Sequence, residues 1–157
     1  MRYHLYLLVS VGVAAAACSD PLSPAFRALD AAEAKWADAG YASYEFTTLR
    51  ACECPPELSV PMRVTVTNGV VTAVTRISDA QSVDPSQWYT IEDLFAVIRI
   101  ELDRLPSRVE VDYDATIGFP EHLIYGRREV DDGAEIEVSG VVESAPARGA
   151  TRARHRE

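Results

Sequence analysis

Two cysteines separated by one residue, Cys52 and Cys54, are the part of this 157-residue chain whose type and spacing most directly offer chemistry. In an oxidising compartment the default state of such a pair is a disulfide. Strand residues at i and i+2 sit roughly 6.5–7 Å apart at Cα, the upper limit for a bridge, so the backbone must bend locally to join them. Pro55 and Pro56 end the strand and hold Cys54 extended. A bridge across one residue closes almost no loop and adds little chain-entropy stabilisation. Three uses are therefore open: a clip on a Pro-stiffened loop, a redox-active pair, or a thiolate site for Cu(I) or Zn(II). The last would take Met62 and His122 as helpers, and two ligands without a second pair are a weak metal signature.

Other chemistry is sparse. Glu110, Asp112, Asp114, Glu135 and Glu137 share parity on strands expected to be neighbours, which offers either a Ca²⁺ site or a solvated, aggregation-blocking face. No Gly-bearing twelve-residue calcium loop accompanies them, so the solvated face is the reading preferred. His4 and His155 lie near the chain ends, leaving His122 as the one general base of the usual kind. No Gly-x-Ser-x-Gly elbow or phosphate-cradling glycine loop occurs, so no catalytic residue and no cofactor are expected. Trp88-Tyr89 and Phe119-Pro120 either rim an aromatic pocket or staple loops to the core.

The third cysteine has a different setting. Cys18 follows Arg2 and an uncharged, mostly apolar run from Leu5 to Ala17. That run fits the h-region of an export signal and falls short of the ~20 residues that span a bilayer as a helix. Ala15-Ala16-Ala17-Cys18 is similar to a bacterial lipobox, with Ala15 where Leu is usual. The resemblance implies that residues 1–17 are removed and that Cys18 becomes an acylated N-terminus; the alternative is an ordinary cleaved signal. Stable anchoring takes more than one acyl chain, at ~0.8 kcal/mol per buried CH₂. Ser19 follows the cysteine, and Asp20 comes one position too late to act as an inner-membrane retention signal, so the periplasmic side of an outer membrane is favoured in a Gram-negative host.

Residues 18–23 then form a short tether, 24–143 a single domain, and 144–157 a basic tail expected to be disordered. Residues 24–143 hold 10 basic and 22 acidic residues, so the body is more acidic than the whole-chain charge of −9. That balance argues against nucleic acid as a partner.

These groups must be positioned by a small set of elements. Ser23-Pro24 starts a helix with Phe26, Leu29, Ala32 and Trp36 on one face and Gly40 at its end. From Tyr41 the period becomes two, with Tyr44, Phe46 and Thr48 opposing Glu45, Thr47 and Leu49. Residues 62–67 and 70–75 flank Asn68-Gly69, a strong signal for a type I′ hairpin. Residues 79–87 read as turns. Thr90, with Asp93 three residues on, caps a second helix whose stripe is Ile91, Leu94, Phe95, Ile98, Leu102 and Leu105. Alternating strands follow at Val109–Tyr113, at about 122–127, and around Ile136 and Val138. The expectation is an α+β fold: an antiparallel sheet of about six strands in αβββ-αβββ order, both helices packed on one face. About 120 residues can bury roughly two-thirds of their unfolded surface.

Tyr44-Glu45-Phe46, Cys52-Glu53-Cys54-Pro55-Pro56, Val64-Thr65-Val66 with Asn68-Gly69, Thr90-Ile91-Glu92-Asp93-Leu94-Phe95, and the Val109–Asp114 run with Gly118-Phe119-Pro120 occur in that order. Together, over about residues 41–141, they resemble a family of small bacterial lipoproteins classified as a domain of unknown function. The resemblance implies fold and location and carries no activity. The functional expectation is an acyl-anchored envelope lipoprotein, a non-catalytic module binding an envelope protein or a small ligand. The alternatives are a thiol-redox or metal-handling protein using Cys52 and Cys54, and, by fold analogy alone, an inhibitor-like protein.

Overall fold

The computed structural model describes residues 23–104, 108–126 and 133–144. Residues 1–22 with Cys18, Leu105 of the expected α2 stripe, the strand end expected at 127 and the residues beyond Ser144 lie outside the described residues. The chain runs α1 (Pro24–Ala39), β1 (Tyr44–Ala51), β2 (Met62–Thr67), β3 (Val70–Arg76), β4 (Ser82–Val83), α2 (Ile91–Asp103), β5 (Arg108–Tyr113), β6 (Pro120–Gly126) and β7 (Ala134–Glu143), with short 3-10 turns at Pro56–Leu58 and Pro85–Gln87. The strands form one antiparallel sheet in the order β4-β3-β2-β1-β7-β6-β5. The fold is thus α+β as expected, with seven strands in place of about six.

Local chemistry accounts for the element starts. The Ser23 hydroxyl accepts from Phe26 N, and Gly40 closes α1 at φ 70°. Thr90 and Asp93 make a reciprocal capping box, each side chain accepting from the other's backbone N–H. Asn68 (φ 51°) and Gly69 (φ 75°) supply the two positive φ values of the β2–β3 turn.

The extra strand, β4, pairs only Val83 with Val74 and Ser82 with Thr75. Two residues among turn formers carry no alternation, so the turns expected over 79–87 give way to a strand only where the β3 edge pairs with them.

The inner face carries the core. Tyr44 and Phe46 from β1, Met62, Val64 and Val66 from β2, Leu123 from β6, and Ile136 and Val138 from β7 are buried against Leu29 and Trp36 of α1 and Ile91, Leu94, Phe95 and Ile98 of α2. At ~25 cal/mol per Å² of apolar area, this burial is the main driving force of the fold. The β5 strand contributes less, since Val109, Val111 and Tyr113 are only half-buried at the sheet edge.

The Gly118-Phe119-Pro120 motif proves to be a packing device. Gly118 has φ 84°, and a Cβ there would overlap the Ala32 carbonyl oxygen of α1 and come within 2.8 Å of the Lys35 Cβ. Lys35 Nζ in turn donates to Ala115 O, at 2.9 Å. Phe119 and Pro120 are buried, so the pair staples the β5–β6 turn to the core.

Candidate functional site

The register defines two ends of the sheet. One end brings together the β2–β3 turn, the start of β1, the end of β7 and the start of α2. Asn68 N and Gly69 N donate to Ser43 Oγ and Ala42 O, and Ser144 N donates to Ser43 O. The other end holds the last residues of β1, the Cys52–Cys54 segment and the start of β5, where Arg108 pairs with Gly126 and Ala51 with Glu135. The start of α1 lies at this second end, because Ala25 and Ala28 share an apolar groove with Leu102, Val109 and Val111.

At the first end, a polar network joins three elements. Glu92, at the second position of α2, accepts from Trp36 Nε1 at 2.8 Å and from Tyr44 Oη at 2.5 Å. Ile91 N donates to the same Tyr44 oxygen at 2.9 Å. The carboxylate therefore meets two aromatic donors at a helix N-terminus, where the dipole favours negative charge. Burial, and then the hydrogen bond to Glu92, push the Tyr44 phenol far above its ordinary pKa of 10 and keep it protonated. Trp36 meets Tyr44 edge-to-face with ring centroids 5.0 Å apart. This cross-link is non-local, and no spacing in the sequence signals it.

Beside the network an open cleft of about 390 Å³ runs between the hairpin and the start of α2, lined by Gly69, Val70, Val71, Pro85, Trp88 and Thr90, among others. The cleft is shallow and broadly open to solvent. Val70 on its rim is 62% exposed, whereas Trp88 is buried and its Nε1 has no hydrogen-bond partner among the described residues. Arg50 packs against Trp88 from β1: its guanidinium lies 5.0 Å from the Trp88 ring centroid and 5.2 Å from that of Tyr89, and donates to Gln87 O. Trp88 therefore both joins the core and lines the cleft. Arg50 shares parity with Tyr44, Phe46 and Thr48, so its inward placement was legible, although its charge argued for the solvent side. The buried Glu101, paired with Arg104 at 2.9 Å, adds a charge to the buried face of α2 in the same unforeseen way.

At the second end, Cys52 and Cys54 are disulfide-bonded with Cα atoms 5.1 Å apart. The required bend is present, since both residues lie just past the end of β1 in bent backbone. Both are half-buried, Glu53 between them is exposed, and Cys54 Sγ lies 3.4 Å from Ser59 Oγ. The proposed metal helpers do not join them. Met62 is fully buried on the inner face of β2, and His122 projects from the outer face of β6. No group of three or more metal-ligating side chains occurs among the described residues.

The acidic strands need a second correction. β5 and β7 are not neighbours; β6 lies between them, and its His122 stands opposite Asp112 on one side and Glu137 on the other. His122 Nε2 is 2.7 Å from Glu135 Oε1, and its Nδ1 is 3.8 Å from Asp112 Oδ2. The hydrogen bond to Glu135 raises the His122 pKa above 6.5, with the charges of Glu135, Asp112 and Glu137 acting in the same direction. Glu110 is held by Arg108 at 2.8 Å. Asp114 leaves the face altogether and accepts from Thr116 N and Ile117 N in the following turn. The face is a wetted surface of paired charges. No described helix is long and apolar enough to cross a membrane.

A family model described as a family of unknown function (DUF6174) matches residues 28–143, and the chain belongs to that family. No curated protein and no solved structure matches the chain.

Proposed function

We propose that this protein is an acyl-anchored envelope lipoprotein that works as a non-catalytic binding module, taking an envelope protein or a small ligand. In this reading residues 1–17 direct export, Cys18 carries the acyl chains and residues 18–23 tether the domain. The two helix-plus-strand units, α1 with β1–β4 and α2 with β5–β7, are read as a degenerate repeat laid side by side in one sheet, the first unit carrying the extra edge strand β4. The observation that carries the binding role is the cleft of about 390 Å³ beside Val70 and Trp88. It lies at the end of the sheet away from Ser23, where the tether joins α1. Ser23 lies five positions after Cys18, a reach of at most ~18 Å, so an anchor at Cys18 would hold the Cys52–Cys54 end near the bilayer and turn the cleft outward.

Two measurements test the reading. Labelled palmitate is incorporated into the wild type and lost in Cys18→Ala, which leaves the membrane fraction; label retained in Cys18→Ala removes the anchor. A photoreactive residue at Val70 captures a defined ligand or protein that the same residue at Glu53 does not. Equal capture from both ends removes the cleft from the account.

A further inference from the structure

We infer that the Cys52–Cys54 disulfide is a thiol–disulfide exchange site, in which Cys52 Sγ takes the attacking thiolate and Cys54 Sγ is the leaving group. The inference replaces the non-catalytic part of that reading with an exchange activity at the opposite end of the sheet and shares with it only the oxidising compartment.

Three observations converge. The bond spans a single residue, Glu53, so it holds together almost nothing that the chain does not already hold. Neither sulfur belongs to the buried core, and both residues are half-buried on a bend past the end of β1, within reach of a partner. The two sulfurs are also unequal. Ser59 Oγ stands 3.4 Å from Cys54 Sγ, and among the described residues no hydrogen-bonding side chain is placed against Cys52.

The sequence fixes that inequality. The turn Pro56–Leu58 folds the chain back on itself, with Leu58 N donating to Pro55 O at 2.8 Å and Ser59 N to Pro56 O at 3.1 Å. Proline at 55 and 56 pre-sets this turn, which returns the Ser59 hydroxyl to Cys54. A hydroxyl that is at best a weak donor to a disulfide sulfur becomes a strong one to a thiolate, so it favours departure of Cys54.

The substrate class is a dithiol on an exported polypeptide. One substrate thiolate attacks Cys52 Sγ; a substrate–Cys52 disulfide forms as the Cys52–Cys54 bond breaks, and the bonding pair leaves on Cys54 Sγ. The second substrate thiolate then attacks its own partner sulfur in the mixed disulfide and expels Cys52 as thiolate. The substrate ends as a disulfide, oxidised by two electrons, and the protein as a dithiol that takes up the two protons. A more oxidising disulfide of the compartment restores the starting state by the reverse exchange.

The test uses the purified mature protein and reduced glutathione as a monothiol probe. Exchange is quenched with an alkylating reagent, and the modified sites are located by mass spectrometry. The expected result is glutathione on Cys52 and the alkyl group on Cys54. Ser59→Ala, folded by circular dichroism, should react about threefold more slowly and lose part of this preference. A disulfide that glutathione does not open overturns the site. Glutathione on Cys54, or equally on both sulfurs, overturns the assignment, as does an unchanged rate in Ser59→Ala. Because the probe acts on purified protein, each of these outcomes is independent of whether Cys18 carries acyl chains.

Discussion

The two ends of the sheet are held in opposite ways. At the cleft end no disulfide occurs among the described residues, yet α1, β1 and α2 are joined through Trp36, Tyr44 and Glu92, and the β5–β6 turn is seated on α1 at Gly118. At the other end stands the only disulfide among the described residues, and it links two residues that one peptide unit already holds close. The difference shows that covalency and structural weight need not coincide. A covalent link that closes almost no loop removes little entropy from the unfolded chain, whereas the Trp36–Glu92 hydrogen bond joins elements 56 residues apart in sequence.

The largest test of this contrast is Gly118→Ala. A Cβ there overlaps backbone of α1, in a left-handed conformation that already disfavours it, so the loss is about 3 kcal/mol or more by denaturant unfolding. A loss under ~1 kcal/mol would mean that α1 is not seated on this turn. Tyr44→Phe comes next. It removes a donor to Glu92 and leaves the buried Ile91 N–H without its acceptor, at a cost of about 2 kcal/mol.

That variant also changes the alkaline limb. Because the Tyr44 pKa is raised on folding, its contribution is complete below pH 10 and is lost as pH rises past that value. The decline of stability above pH 10 should therefore be shallower in Tyr44→Phe. Reducing Cys52–Cys54 is smaller again, below about 1.5 kcal/mol, against the 2–4 kcal/mol typical of disulfides that close long loops.

His122, on the outer face away from both ends, marks the low end of the scale. Its raised pKa means that its stabilisation is complete below pH 6.5 and fades as pH rises through the folded-state value. Melting curves from pH 5.5 to 8 should show the wild type losing a small advantage over His122→Gln. An advantage that grows with pH would reverse the sign.

Much of the fold was legible because it is written locally. Ser23-Pro24, Thr90 with Asp93, and Asn68-Gly69 each state an element boundary within four residues, and the parity of Tyr44, Phe46 and Thr48 states which face is buried. What was missed depends on partners far away in sequence. Ser82–Val83 becomes a strand only because β3 offers a free edge. The acidic runs of β5 and β7 share parity as expected, but parity does not reveal that β6 and His122 stand between them. The cleft needs the hairpin and the Pro85–Trp88 segment to meet, and Glu92 reads as an ordinary exposed helix residue until Trp36 and Tyr44 arrive beside it. Cys52 and Cys54 lie between these cases: their proximity follows from spacing, whereas the approach of Ser59 follows from the turn after Pro55.

The claim that the disulfide end bears little of the fold is tested most directly by urea unfolding of the wild type and Tyr44→Phe, each oxidised and reduced. Reduction should lower the unfolding free energy of the wild type by less than Tyr44→Phe does, and the two losses should add, since the sites lie at opposite ends of β1. If reduction costs more than Tyr44→Phe, or unfolds the protein outright, the Cys52–Cys54 bond is a brace of the fold and the contrast between the two ends is wrong.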